Sequence, residues 1–200
     1  MMSSANIQTR TRILRSAWKL LEGDSGQGVR MADIAKDAGI SRQAVYLHFP
    51  KRAELLIAVT RYIDEVLDVD ARLAASRRAA TGAARLEAFI EAWGNYIPEI
   101  HGIAKALLAM KDTDAAAAAA WADRMGAVRQ GCEAAVQALN ADGMLTPEFS
   151  PQQATDILWT QLSVRNWEQL TQECGWSQKR YIEAMQMMAR RVLLTGALLP

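Results

Sequence analysis

The stretch RMADIAKDAGISRQAVYLHFPKR, residues 30–52, decides how the rest of the chain is read. Its first half sets Met31, Ile34, Ala35 and Ala38 at helical spacing with Asp33, Lys36 and Asp37 between them, which predicts a short helix with one buried face. Gly39 follows where a helix end calls for a residue able to take positive φ, and Ser41 offers a side-chain oxygen to cap a new helix. Helix, short glycine turn, helix is the helix-turn-helix pattern, whose second helix lies in a DNA major groove with its N-terminal residues at base edges.

On the second helix, Ser41 to His48, Ala44, Val45 and Phe49 face inward, while Arg42, Gln43, Tyr46, Leu47 and His48 remain near or on the outer surface. Arginine pairs with guanine and glutamine with adenine, whereas tyrosine and histidine bond phosphate oxygens. Arg42 and Gln43 are therefore the base-reading candidates. The same spacing also describes an ordinary helical hairpin with a surface Arg-Gln pair, and spacing alone does not separate the two.

The run IAKDAGISRQAVYLHFPKRAELL, residues 34–56, resembles the N-terminal signature of the TetR family of bacterial transcriptional regulators. The shared features are Ile-Ala, Ala-Gly-Ile-Ser, Tyr-x-His-Phe and a basic residue ahead of Leu-Leu. The likeness spans about the first 60 residues; the remainder agrees in length and helical character. It implies an all-α chain, with an N-terminal three-helix helix-turn-helix DNA-binding domain at 1–52 and a C-terminal helical ligand-binding and dimerisation bundle at 53–200. It also implies that Tyr46 and His48 contact backbone phosphates, that Arg42, Gln43 and Leu47 face bases, and that Arg30, Lys51 and Arg52 are further phosphate candidates. Two positions depart from the commoner pattern. Arg30 stands where the family often has a threonine that caps the second helix, and arginine reaches a phosphate but cannot cap. Arg52 replaces the usual lysine, keeping the charge with a different donor geometry. Ala44 also lacks the hydroxyl that many relatives carry there.

Composition bounds the reading. The chain has 200 residues, 50% of them hydrophobic, enough to bury a core without disulfides or metals. Its net charge of +1 is unevenly spread: residues 1–52 hold nine Lys/Arg against four Asp/Glu, and residues 53–200 hold fourteen against eighteen. A basic quarter on a mildly acidic body suits a protein that turns one end to phosphates. The two cysteines, Cys132 and Cys174, build neither a disulfide framework nor a four-cysteine zinc site. The opening MMSSANIQTRTR lacks the apolar centre of a signal peptide, and no run long enough to span a membrane occurs, so a cytoplasmic protein is expected.

Along the chain, Ile13, Leu14, Ala17, Trp18 and Leu21 predict a first helix over residues 6–21, flanked by basic residues. GDSGQG, residues 23–28, is a break; its Gly-rich look follows a helix and lacks a Gly-Lys-Ser/Thr ending, which argues against a phosphate cradle. Pro50 closes the reader, and a fourth helix is expected over 53–69, then a helix end and linker over 70–82. Helices are expected over 83–97 and 101–110, with a break or kink at Pro98. Asp112 and Asp114 precede the alanine run 115–120, which opens a helix ending at Asp142-Gly143. Ser150-Pro151 starts a helix running to Glu173, and Ser177 caps the last one. The helix 152–173 is apolar on more than one face, consistent with burial against its own body and a second subunit. With the resemblance, this gives a homodimer through the last two helices.

No catalytic or metal constellation is expected: His48 and His101 lie far apart in sequence, and nothing assembles a nucleophile, a base and an orienting group. No cofactor is expected either. Six tryptophans stand out in a chain of this length. Trp93, Tyr96, Trp121, Met125 and Trp159 are the ligand-pocket candidates, with edge-of-core packing as the alternative for each. The expected function is a ligand-responsive regulator, a repressor bound to a palindromic double-stranded DNA operator and released by an apolar or aromatic small-molecule effector. The alternatives are a DNA-binding protein governed by a protein partner, and an enzyme using the C-terminal bundle.

Overall fold

The computed structural model describes residues 4–23 and 29–196. The expected loop over 23–28 lies, beyond Gly23, outside the described residues. Among those described there are ten α-helices: α1 Ser4–Gly23, α2 Met31–Asp37, α3 Arg42–His48, α4 Arg52–Val66, α5 Val69–Arg77, α6 Gly82–Met110, α7 Ala115–Ala141, α8 Pro151–Gln161, α9 Val164–Glu168 and α10 Gln178–Leu193. A π-helical turn, Gln169–Glu173, follows α9. The sole β-type pairing among the described residues is an isolated antiparallel bridge between Leu145 and Leu194. The all-α expectation therefore holds.

The chain forms two compact units that interleave in sequence: residues 1–67 with 100–124, and residues 68–99 with 125–200. In the first, α1 packs on α2 and α4 around Ile13, Leu14, Leu21, Ile34, Val45, Leu55, Leu56 and Ile63, joined by Leu107 from α6 and Ala117 from α7. Polar ties reinforce this core: Arg15 Nε donates to the Tyr62 hydroxyl at 2.9 Å, and Lys19 pairs with Asp37 at 2.7 Å. Helix α4 is joined to α7 by Arg61 with Asp123, at 2.6 Å, and by Asp64 with Arg124. Exposed ion pairs of this kind are screened by solvent, so the apolar core is the main source of stability.

In the second unit, Leu86, Ile90 and Ile97 of α6, Val136 and Leu139 of α7, Leu158 of α8 and Tyr181, Met185 and Leu193 of α10 are buried. Cys132 is buried with them, and burial pushes its thiol up to about 12.

Three expectations about helix boundaries are corrected here. Pro98 does not divide α6, which is continuous through it. Proline lacks the N–H that would bond the carbonyl four residues back, that of Gly94. The Gln178 side-chain amide takes that carbonyl instead, at 2.6 Å. The helix expected over 152–173 is broken at Leu162 and Ser163. The break is stabilised because its polar groups find partners: Ser163 accepts from Asn166 N–H at 3.2 Å, Asn166 Nδ2 donates to the Thr160 carbonyl at 2.8 Å, and Trp93 Nε1 donates to the Leu162 carbonyl at 2.8 Å. Finally, the linker expected over 70–82 is largely helix α5. Asp68, in the left-handed region at φ 50°, ends the run of α4 and caps α5 by accepting from Ala71 N–H at 3.2 Å.

Other signals hold as read. Gly143, expected at a helix end, takes a positive φ of 68°, as does Gly175 after the π-helical turn. Ser150 and Gln153 form a reciprocal capping box at the start of α8, and Ser177 caps α10.

Candidate nucleic-acid interface

Helix α2 opens without help from the side chain of its N-cap residue, Arg30. Asp33, three residues on, reaches back and accepts from the Arg30 backbone N–H at 3.2 Å. Helix α2 then ends at Ala38, and Gly39 turns the chain at φ 64°. Ser41 accepts from Ala44 N–H at 3.1 Å and starts α3. Val45 and Phe49 anchor α3 in the core with Ile34 and Ala35 of α2, and the Arg10 guanidinium lies 5.1 Å over the Phe49 ring. The stop and start read from the sequence are both present, so the orientation of α3 is set by local capping and by two apolar anchors.

With those anchors buried, Arg42, Gln43, Tyr46 and Leu47 are exposed, Leu47 by 79%. At 100° per residue these four fall within an arc of about 140° on α3. His48, the last residue of the helix, is half-buried outside that arc, and Lys51 is exposed at the N-cap of α4. Arg52, another phosphate candidate, is tied inward. Its Nε donates to the Val29 carbonyl at 3.1 Å, and its guanidinium is ion-paired with Asp114, the residue just before α7. Arg30, Arg42, Tyr46, Arg52 and Asp114 together line a cleft of about 510 Å³ beside α3. Three arginines, a tyrosine and one carboxylate thus border the same space, together with Val29, Met31 and Ala32, and arginine is a side chain suited to an anion such as a phosphodiester.

The ligand-pocket candidates fall in both units. Trp93 and Tyr96 are buried neighbours in the second unit, their ring centroids 6.1 Å apart. The Trp93 indole N–H is occupied by Leu162, and the Arg72 guanidinium lies 5.5 Å over the Tyr96 ring. Burial raises the Tyr96 hydroxyl well above the usual phenol value. Met125 and Trp159 are half-buried members of the same unit, whereas Trp121 packs against the core of the first. Sequence reasoning missed Tyr181 as a polar group of interest. It is fully buried, and its hydroxyl has no hydrogen-bond partner among the described residues. Asp114 is legible as a helix-start residue, but its pairing with Arg52 is not, because the two lie 62 residues apart in the chain.

Residues 13–59 match the family model described as bacterial regulatory proteins, tetR family. The nucleoid occlusion factor SlmA of Marinomonas sp. is 35% identical over 66 residues, 33% of this chain and 34% of that protein. The SlmA of Shewanella baltica is 34% identical over 67 residues, so the match covers about a third of the length of these curated relatives. Solved structures align over nearly the whole chain. NalD of Pseudomonas aeruginosa, the secondary repressor of the MexAB-OprM multidrug efflux pump, gives a TM-score of 0.68 at 20% identity, covering 96% of this chain and 99% of its own. A transcriptional regulator from Saccharomonospora viridis, solved with choline, gives 0.72 at 18% identity, covering 94% and 98%. A TetR transcription regulator from Haloarcula marismortui gives 0.69 at 17% identity, covering 94% and 99%. Residues 13–59 thus resemble the tetR family of bacterial regulatory proteins, and the chain carries the fold of solved TetR-family regulators along nearly its whole length.

Proposed function

We propose that this chain is a DNA-binding transcriptional regulator that acts as a homodimer and represses from a palindromic operator. The observation that carries the reading is the exposed arc of Arg42, Gln43, Tyr46 and Leu47 on α3, beside a cleft rich in arginine. Arg42, Gln43 and Leu47 meet base edges, while Tyr46, His48, Arg30 and Lys51 hold backbone phosphates. Arg52 joins them when it exchanges its internal carboxylate for a phosphate. Residues 1–52 form the DNA-binding domain and 53–200 the ligand-binding and dimerisation domain. Two readers in a dimer stand about 34–36 Å apart, or a multiple of that, to meet successive major-groove faces. The last long helix, α10, leaves Met187, Met188 and Val192 exposed, which supports a second subunit there.

The effector is an apolar or aromatic small molecule that enters among the helices carrying Trp93, Tyr96, Met125 and Trp159. It binds the DNA-incompetent state more tightly and releases the operator by that difference in affinity. The test is selection of genomic fragments by the full-length chain, followed by a salt titration. A preferred fragment at moderate salt supports specific regulation, and equal binding to random DNA refutes it. Substituting Gln43 is expected to change preference at one base position, and substituting Tyr46 to weaken binding on all sequences.

A second reading is favoured by the likeness of the head to nucleoid occlusion factors. Under it, the same DNA-binding head serves a body that answers to a protein partner. A ligand screen that finds no compound able to release the selected fragment supports this second reading.

A further inference from the structure

Asp114 has both carboxylate oxygens engaged. Oδ1 accepts from the backbone N–H groups of Ala116 at 2.9 Å and Ala117 at 3.3 Å, capping α7, and Oδ2 is ion-paired with Arg52. Arg52 is the first residue of α4 and, with Arg30, Arg42 and Tyr46, lines the cleft beside α3. A carboxylate and a phosphodiester present similar pairs of oxygens to a guanidinium, and arginine forks onto either. The cleft therefore already contains an anion of the kind that it would receive from DNA, supplied by the protein itself and fixed to the start of α7.

We propose that Asp114 is an internal competitor of a DNA backbone phosphate. It holds Arg52 in the free protein and gives it up when the phosphate enters, so it sets DNA affinity below what the three arginines alone would give. Asp114 acts through Arg52 and is a positioning residue, not a contact to DNA. This rests on the reading that the hairpin binds DNA. It adds that the first turn of α7 takes part in the binding equilibrium: each step that returns Arg52 to Asp114 favours release.

The test uses the full-length chain and two variants, Asp114→Asn and Asp114→Ser. Both replacements retain an N-capping side chain and remove the charge, so helical content in circular dichroism should match the parent. Affinity is measured against salt on the selected fragment and on a random duplex. Both variants are expected to bind each duplex on the order of five- to tenfold more tightly at low salt, with the slope of log affinity against log salt unchanged, because Arg52 meets the same phosphate in parent and variant. In the Arg52→Gln background, Asp114→Asn is expected to leave the affinity unchanged. An unchanged affinity in the single variants overturns the inference. So does an equal change with Arg52 absent, which would report a general loss of negative charge. Failure of the parent chain to bind any duplex is a different result, and it overturns the DNA-binding reading itself.

Discussion

The Asp33 carboxylate accepts the Arg30 backbone N–H at 3.2 Å, so the first helix of the reader is capped from within its own first turn. Arginine at the N-cap contributes no acceptor, and the first-turn N–H groups of α2 receive no side-chain oxygen from it. Arg30→Thr restores a hydroxyl there and is expected to raise stability by about 0.5–1 kcal/mol in urea unfolding, with Asp33→Ala lowering it by a similar amount. Arg30→Thr should at the same time weaken DNA binding if Arg30 holds a phosphate. Stability and affinity moving in opposite directions is the outcome to look for.

Gly39 and Gly82 resist substitution for different reasons. A Cβ at Gly39 meets nothing within 4 Å, but φ is 64°, so Gly39→Ala should cost roughly 1–2 kcal/mol from backbone conformation alone. Gly39→Asn should cost less, because asparagine tolerates the left-handed region. At Gly82 a Cβ falls 2.5 Å from the Leu139 nitrogen and 2.6 Å from the Ala138 carbonyl carbon, both backbone atoms. Gly82→Ala should therefore be the more damaging of the two alanine variants in chemical unfolding, and equal losses would contradict the assignment.

Gln178 and Pro98 should be energetically coupled. The Gln178 side chain donates to the carbonyl that Pro98 leaves open and accepts from Trp167 Nε1 at 2.9 Å. Gln178→Ala should destabilise by about 1–3 kcal/mol, since it leaves a carbonyl and an indole N–H without these partners. In the Pro98→Ala background the loss should be smaller, because the backbone N–H that the substitution restores bonds the Gly94 carbonyl. A double-mutant cycle measures the difference, and additive losses would show that Pro98 and Gln178 do not share that carbonyl.

Acid should act on Asp114. Burial by itself raises its pKa, but Arg52 and the N–H groups of Ala117 and Ala116 outweigh that and hold it below its ordinary value of 3.8. A carboxyl lowered in the folded state contributes stability that is fully present above the unfolded value and is lost as pH falls through the folded one. Stability measured from pH 5 downward should thus fall more steeply below about 4 for the parent than for Asp114→Asn. Parallel curves would show that the ion pair adds nothing to folding.

The reader was legible because its signals are local: Gly39 and Ser41 announce their roles within a few residues, and Val45 and Phe49 follow the helical period. The errors have the opposite origin. Pro98 stays inside a helix because Gln178, far along the chain, supplies a donor, and the break at Leu162 persists because Trp93 satisfies its carbonyl. No pattern near Pro98 or Ser163 contains that information. Arg52 is the same case within the candidate site, since its charge was readable and its carboxylate partner was not.

Leu47 has a thermodynamic consequence of its own. With 79% of its surface in water, it is an apolar side chain for which the free protein gains nothing. Any surface that covers it releases ordered solvent, worth about 1.5–3 kcal/mol for complete burial, and should leave a negative heat-capacity change in calorimetry. On a thymine methyl group that release favours one base over another without a hydrogen bond. In concentrated solution the same exposed side chain favours self-association through α3, so under the proposed function DNA should also act as a solubiliser of this protein.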